Sequence, residues 1–294
     1  MVLDAGNALF KPGVLNDSAS RERAELILRT MGELNTAGMA VGHLDLNAGP
    51  EFLKKMAARS NVPLLSANLV DARGKLWFSP SRQLSVAGAR VALIGISPLE
   101  EGVGFASKPP VQAALAEARK LRGRADVVLV LAAVPYADAL QLAKDAGGAV
   151  DLILQSHEAR GAGLAQHYGE SFLVPTGDRG RQLGRLQLEL VGQGPWVDAA
   201  AAEHDRQLLN LLDVQIAEAR KRLDSARPEA KDAVARTLRS FETRRDSLAK
   251  QAMASRPNNE RTLKLDYLTL GAEYADDPAL KAKVAALEPQ GAGP

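Results

Sequence analysis

The stretch Met39-Ala40-Val41-Gly42-His43-Leu44-Asp45-Leu46-Asn47-Ala48-Gly49 decides how this chain is read. An apolar run stops at Gly42 and a polar, glycine-bounded loop follows. Pro50-Glu51-Phe52-Leu53 then opens a helix with proline in its first turn. Strand, loop and helix in that order form the repeating unit of α/β proteins, whose ligands bind in loops at the carboxyl ends of strands. This loop offers an imidazole, a carboxylate and an amide. It has the chemistry of a site.

The neighbouring segments extend the pattern in both directions. Val2-Leu3 reads as the end of a buried strand running into the turn Asp4-Ala5-Gly6-Asn7. Asp17-Ser18-Ala19-Ser20 supplies caps for a helix to about Leu34, with Ala24, Ile27, Leu28, Met31 and Leu34 on one face. A short strand over 62–66 ends at Ala67-Asn68, and segments 76–78 and 83–86 read as a hairpin. The apolar run 90–96 is a strand buried on both faces. Helices over 110–122 and 135–145 then alternate with strands over 126–133 and 151–155, the latter ending at Ser156-His157-Glu158. Two final strands, 172–175 and 183–190, flank the turn Thr176-Gly177-Asp178-Arg179-Gly180. This alternation predicts an α/β domain with largely parallel sheets.

Near Gly192-Gln193-Gly194-Pro195 the composition changes, which places a domain boundary there. The expected organisation is an α/β domain over 1–192, an antiparallel helical hairpin over 193–257, and a short strand, a helix and a disordered tail over 258–294. Leu209, Leu212, Ile216, Ala219 and Leu223 face Val234, Leu238, Phe241 and Leu248 at coiled-coil spacing, interrupted by Arg245. Each arm is roughly 40 Å long at ~1.5 Å per residue.

Composition narrows the function classes. Of 294 residues 46% are hydrophobic, ample for a core. The formal charge is +2, from 37 basic and 35 acidic residues, so no strong field for nucleic acid or membrane exists. Residues 199–261 hold 13 basic and 10 acidic side chains, well mixed in sign, the signature of a solvated helical face rather than of a nucleic-acid surface. There are no cysteines, which removes disulfides, thiolate metal sites and thiol nucleophiles. No apolar run approaches the ~18–20 residues of a membrane span.

The order of segments resembles the calcineurin-like metallophosphoesterase superfamily, in particular the amino-terminal domain of the bacterial 5′-nucleotidase and cyclic-nucleotide phosphodiesterase family. Val2 to Asn7 is similar to that family's "LDAGD" turn, and Gly42-His43 to its "GNHEFD" loop. Leu65-Ser66-Ala67-Asn68 matches its "SAN" strand end. The run from Gly88 to Ile96 is similar to "G.KVGVIG", 126–133 to "DVVIVLSH", 151–159 to "DLIIGGHSH" and 177–186 to "G.YG..LGRL". The resemblance implies an α/β fold, a metallophosphoesterase-like four-layer αββα sandwich lacking its first strand, followed by the helical hairpin.

The family hydrolyses phosphate esters with two divalent metals about 4 Å apart, bridged by one carboxylate, and oxygen and imidazole ligands suit Mn, Zn or Mg there. Position by position, the resemblance implies a degenerate set of donors. Asn7 stands at the bridging aspartate, Gly42 at a metal-binding asparagine, and Ala133 and Ala159 at two metal-binding histidines. Asn7 and His157 are the remaining metal remnants. His43 matches the histidine that stabilises the transferring phosphoryl group, here as a vestigial catalytic residue. Asp45, Glu158 and His167 are candidates for rebuilding a metal site, with Asp45 alternatively capping the helix at Pro50. Arg179 and Arg181 are possible phosphate contacts, and His204 reads as solvated.

The expectation is therefore a phosphoesterase-family chain with no cofactor of its own, or a divalent metal by resemblance alone, serving as a binding or scaffolding module. The alternative is an active metal-dependent nucleotidase with a rebuilt site or a truncated amino terminus. Expected partners are an unidentified protein or a second copy, met through the hairpin 199–256. Family members are generally exported, so a periplasmic or envelope location is expected if a signal segment precedes Met1, and a cytoplasmic one otherwise.

Overall fold

A computed structural model describes residues 1–156, 163–177, 180–225, 227–254 and 261–287. Strand β1 (Val2–Asp4) leads through a long loop to helix α1 (Ser18–Glu33), β2 (Thr36–Ala40), α2 (Pro50–Ser60) and β3 (Leu64–Leu65). These three strands form an all-parallel sheet in the order β1-β2-β3. Asp17 caps α1 by accepting the Ser20 amide at 2.8 Å, as its position predicts. Helix α2 starts differently: Gly49 precedes it with no side-chain cap, and Pro50 occupies the first turn.

The second sheet is built from β5 (Ser81–Val86), β6 (Ala89–Ile96), β9 (Val127–Ala132), β10 (Leu152–Gln155), β11 (Gln166–Tyr168) and β12 (Ser171–Pro175). Its order is β11-β12-β10-β9-β6-β5, parallel in the centre and closed by an antiparallel strand at each edge. Helices α3 (Pro110–Leu121) and α4 (Tyr136–Asp145) cover it, burying Ala114, Leu115, Leu142 and Ala143 against Val128, Val130 and Ile153. A separate core cluster joins α1 and α2 to the first sheet through Leu28, Leu53, Met39 and Leu64. The two sheets meet at Gly38, where a Cβ would sit 3.1 Å from Leu93 and 3.2 Å from Leu65. A third, antiparallel sheet holds β4 (Leu69–Val70), β8 (Phe105–Ser107) and β7 (Glu101–Gly102), in that order.

The hairpin of β5 corrects a sequence expectation. Its partner is β6 rather than residues 76–78, where Leu76 only bridges to Val70. The connection is the two-residue turn Ala87-Gly88, with φ of +48° and +86°. Positive φ at both central positions is the turn whose twist suits paired strands. An alanine in the first of them hides the signal.

The chain forms two compact units, Met1–Gly184 with Tyr267–Pro294, and Arg185–Asp266. This division differs from the expected boundaries at 192 and 257. It runs through strands β13 (Gln182–Leu190) and β15 (Arg261–Thr269), which share a sheet with β14 (Trp196–Asp198). Helix α7 (Pro278–Leu287) accordingly belongs with the first unit. The expected tail at 290–294 lies outside the described residues.

In the second unit, helices α5 (Ala199–Ser225) and α6 (Pro228–Ala254) run antiparallel, as the pairs Arg220–Glu242 (2.7 Å) and Asp213–Arg245 (3.0 Å) require. Leu212, Ile216 and Ala219 are buried in the seam. Arg245, which breaks the apolar pattern, spends that position on the ion pair across to α5.

Candidate functional site

The turn after β1 and the loop after β2 are parallel neighbours at the carboxyl end of the first sheet. One carboxylate joins them. Asp45, fully buried, accepts the amides of Ala8 and Leu9 on Oδ1 (3.0 and 3.1 Å) and those of Asn7 and Gly42 on Oδ2 (2.7 and 2.8 Å). A carboxylate has about four lone-pair positions, and here all four meet backbone N–H groups. Asp45 therefore ties two loops together rather than capping α2. Burial pushes its carboxyl up to about 6, with the four donors acting in the opposite sense.

Asn7 sits at φ +66°, a left-handed conformation that asparagine tolerates better than most residues. Its Oδ1 accepts the Leu44 amide at 3.0 Å, and its buried Nδ2 has no hydrogen-bond partner among the described residues. The carboxamide lies directly against Gly42. A Cβ at position 42 would fall 2.3 Å from Asn7 Oδ1, 2.5 Å from its Cγ and 2.8 Å from its backbone nitrogen. The glycine is thus a steric requirement of Asn7, and the space for a side chain at 42 is already filled. Gly6, at φ +93°, is pinched between Ala133 and the Ala40 carbonyl, each 2.9 Å from where its Cβ would be.

Asp4 closes the turn by accepting the Gly6 amide at 2.7 Å. Burial and the negative charge of Asp45 push its carboxyl up to about 7. The carboxyl end of the second sheet is joined to this turn by Ser156, whose hydroxyl donates to the Ala5 carbonyl at 2.6 Å. The Ser66-Ala67-Asn68 segment is equally well explained. Asn68 Nδ2 donates to the carbonyls of Ser97 (2.8 Å) and Lys108 (3.0 Å), its Oδ1 accepts the Ser97 amide (2.8 Å), and the Ser66 and Ser97 hydroxyls lie 2.8 Å apart. A fully satisfied buried network of this kind fixes the loop after β3 to the loop after β6.

His43 is the exposed member of the cluster, with 63% of its side chain accessible. Its Nδ1 lies 2.5 Å from Glu100 Oε2, and Glu100 Oε1 is buried without a hydrogen-bond partner among the described residues. With Nδ1–H donated to the carboxylate, Nε2 is left as an outward acceptor, an arrangement able to take or give a proton or to face an anion as imidazolium. Glu100 escapes the sequence reading because 57 residues separate it from His43 and no spacing rule links them.

The other expected ligands do not gather here. His167 lies on edge strand β11, stacked on Phe172 at 4.5 Å and paired with the start of β12, the opposite end from the loops. Arg181 is exposed. His157, Glu158, Ala159, Arg160 and Arg179 lie outside the described residues, as does the side chain of His204. Among the described residues no three His, Asp or Glu side chains converge as a metal would require. The described donors do not fit a two-metal centre: Asp45 has its acceptor positions occupied, Asn7 Oδ1 is engaged by an amide, and positions 42 and 133 carry no donor side chain.

Parallel strands of two stacked sheets delivering their loops to one end can be compared with solved structures. The 5′-nucleotidase precursor from Thermus thermophilus superposes with a TM-score of 0.55 at 22% identity, over 66% of this chain and 42% of that one. The sulfate thiohydrolase SoxB from the same organism gives 0.56 and 22%, over 64% and 36%. The calcineurin-like phosphoesterase YfkN from Bacillus subtilis gives 0.52 and 18%, over 64% and 71%. The fold is that of the calcineurin-like phosphoesterases. This chain spans about two-fifths of the length of the nucleotidase and the thiohydrolase. No family model and no curated protein sequence matches it.

Proposed function

We propose that the chain is a binding or scaffolding module built on the calcineurin-like phosphoesterase fold, in which the two-metal hydrolytic centre has been replaced by a hydrogen-bonded structural knot. The observation that carries this reading is the packing of Asn7 against Gly42. By the resemblance to 5′-nucleotidases, these positions hold a bridging carboxylate and a metal-binding amide. Here Asn7 carries no charge, and its carboxamide occupies the space into which a side chain at 42 would project. Asp45, the nearest carboxylate, is committed to four backbone amides. The exposed His43 imidazole, backed by Glu100, keeps the loop suited to an anionic ligand.

The same pair favours one second reading, a metal-dependent phosphoesterase with a rebuilt site, because a carboxylate-oriented histidine suits acid–base work on a phosphate ester. One experiment separates the two. The protein is purified from cells supplied with Mn or Zn, its metal content is measured, and bis(p-nitrophenyl) phosphate is offered as a generic diester. The module reading expects less than one metal per chain and no turnover. Two bound metals, with turnover abolished by His157→Ala, would overturn it.

No helix of the described residues is long and apolar enough to cross a membrane. By resemblance to exported nucleotidases, a periplasmic or envelope location belongs to the same proposal.

A further inference from the structure

The second unit carries a feature unrelated to the phosphoesterase loops. An open trough of about 740 Å³ runs along α6, lined by Arg236, Arg239, Arg244, Thr243, Leu208 and Leu248 among others. From Arg236 to Leu248 it extends about 18 Å at ~1.5 Å per residue, some three helical turns. The three arginines are exposed, and among the described residues none forms an ion pair or side-chain hydrogen bond. Two of the carboxylates beside them are engaged elsewhere, Glu242 with Arg220 and Asp246 with Arg245, and Asp232, one turn before Arg236, forms no ion pair with it among the described residues. A row of uncompensated guanidinium groups in a groove is a surface for carboxylates or phosphates.

The apolar lining chooses between those. Leu208 and Leu248 lie at the trough, and Leu211, the next helical neighbour of Leu208, is 53% exposed on α5. Free phosphate has no use for leucines, and the near-balanced charge of the hairpin gives no field for a nucleic-acid backbone. An amphipathic helix matches both features, laying its apolar face on the leucines and its acidic flank on the arginines. A second copy of this chain does not match, because an isologous contact would set the arginine row against itself.

We infer that the α6 trough, lined by Arg236, Arg239 and Arg244 beside Leu208 and Leu248, docks an acidic amphipathic helix of a protein partner. The inference does not depend on whether the phosphoesterase loops bind metal. It specifies the partner chemistry of the hairpin and leaves dimerisation through this face disfavoured.

The test uses the full chain and a labelled synthetic amphipathic helix, leucines on one face and glutamates on the flank, followed by fluorescence anisotropy. A scrambled peptide of the same composition, phosphatidylglycerol vesicles and sedimentation of the protein alone complete the set. The helix is expected to bind, and to bind more weakly as salt rises from about 0.1 M to about 1 M and the screening length falls from about 10 Å to about 3 Å. Replacing all three arginines (Arg236→Gln, Arg239→Gln, Arg244→Gln) is expected to weaken binding about tenfold or more, with unchanged circular dichroism. Leu211→Gln is expected to weaken it without changing the salt slope. Equal binding of the scrambled peptide, or by the triple variant, overturns the inference. So does absence of peptide binding, vesicle binding in preference to the peptide, or a dimer that the triple variant dissolves.

Discussion

Gly42→Ala tests the packing on which the proposed function stands. The new Cβ would lie 2.3 Å from Asn7 Oδ1 and 2.5 Å from its Cγ, against the 3.4–4 Å of ordinary contact. Those two atoms belong to a side chain that can rotate away. The third contact, 2.8 Å to the Asn7 backbone nitrogen, cannot be relieved so simply, because that nitrogen is held by Asp45 at 2.7 Å. Rotation of the carboxamide also abandons the Leu44 amide, a loss of about 1 kcal/mol, and forcing a methyl into a packed site adds about 1–3 kcal/mol. The sum is about 2–4 kcal/mol, or roughly 4–16 °C of melting temperature for a unit of this size. Scanning calorimetry reads it directly. A second variant isolates the cause: Asn7→Gly removes the obstructing side chain at a position whose φ of +66° suits glycine. The double variant is therefore expected to be more stable than the sum of the singles by about 1–2 kcal/mol. A Gly42→Ala protein melting within about 2 °C of the parent, or strictly additive variants, would refute the claim that Asn7 fills the space of a side chain at 42.

Three further outcomes follow from the same geometry. Asp45→Ala leaves four backbone amides unpaired where Asp45 now accepts them, and should cost about 3–5 kcal/mol in urea denaturation. Asp4 titrates at about 7 in the folded chain, above its ordinary value of 3.8. The folded state thus holds a proton that the unfolded chain has released, so this contribution to stability is complete below about pH 4 and lost as pH rises through about 7. Asp45, raised to about 6, acts with the same sign. The denaturation midpoint should fall between about pH 4 and about pH 7, and Asp4→Asn, which keeps an acceptor for the Gly6 amide, should flatten that fall. Finally, Arg245→Leu would exchange an exposed, solvent-screened ion pair for a continued apolar seam. Hairpin helicity should then persist to higher temperature; a lower melting point would show that the pair with Asp213 holds the two arms together.

Much of the fold is legible in the sequence because burial leaves a periodic trace. The runs at 91–96 and 127–133 are apolar throughout because β6 and β9 are covered on both faces, and the hairpin seam repeats every three or four residues. What stays hidden is local conformation without a compositional mark. Ala87 in a left-handed turn looks like strand, so the pattern alone assigns β5 the wrong partner. The small strands β7, β8, β11 and β14 are two or three residues long, too short for any period to register. The site shows the same division. His43 and Asn7 stand out as loop residues at strand ends, but the partners that define them come from across the fold. Nothing near Glu100 announces a contact with His43, and nothing in the spacing of Asp45 tells a helix cap from a clamp on residues 7–9. Hydrogen-bond partners separated by 36–57 residues are a property of the tertiary structure.

On the proposed reading, the knot around Asp45 also bears on how the site could regain a metal. A donor side chain at 42 is sterically closed while Asn7 keeps its present rotamer, and a carboxylate at 7 would lie beside Asp45, which already raises the Asp4 carboxyl through its charge. Either change made alone costs stability before any ligand is gained, since a third buried carboxylate without a cation raises the like-charge repulsion at the turn. Recovery needs both positions to change together with a metal present to neutralise them. The packing is therefore not a site missing one residue. On that proposal it is an alternative solution for the same loops, in which four amides satisfied by one buried carboxylate do the ordering that metal ions would otherwise supply.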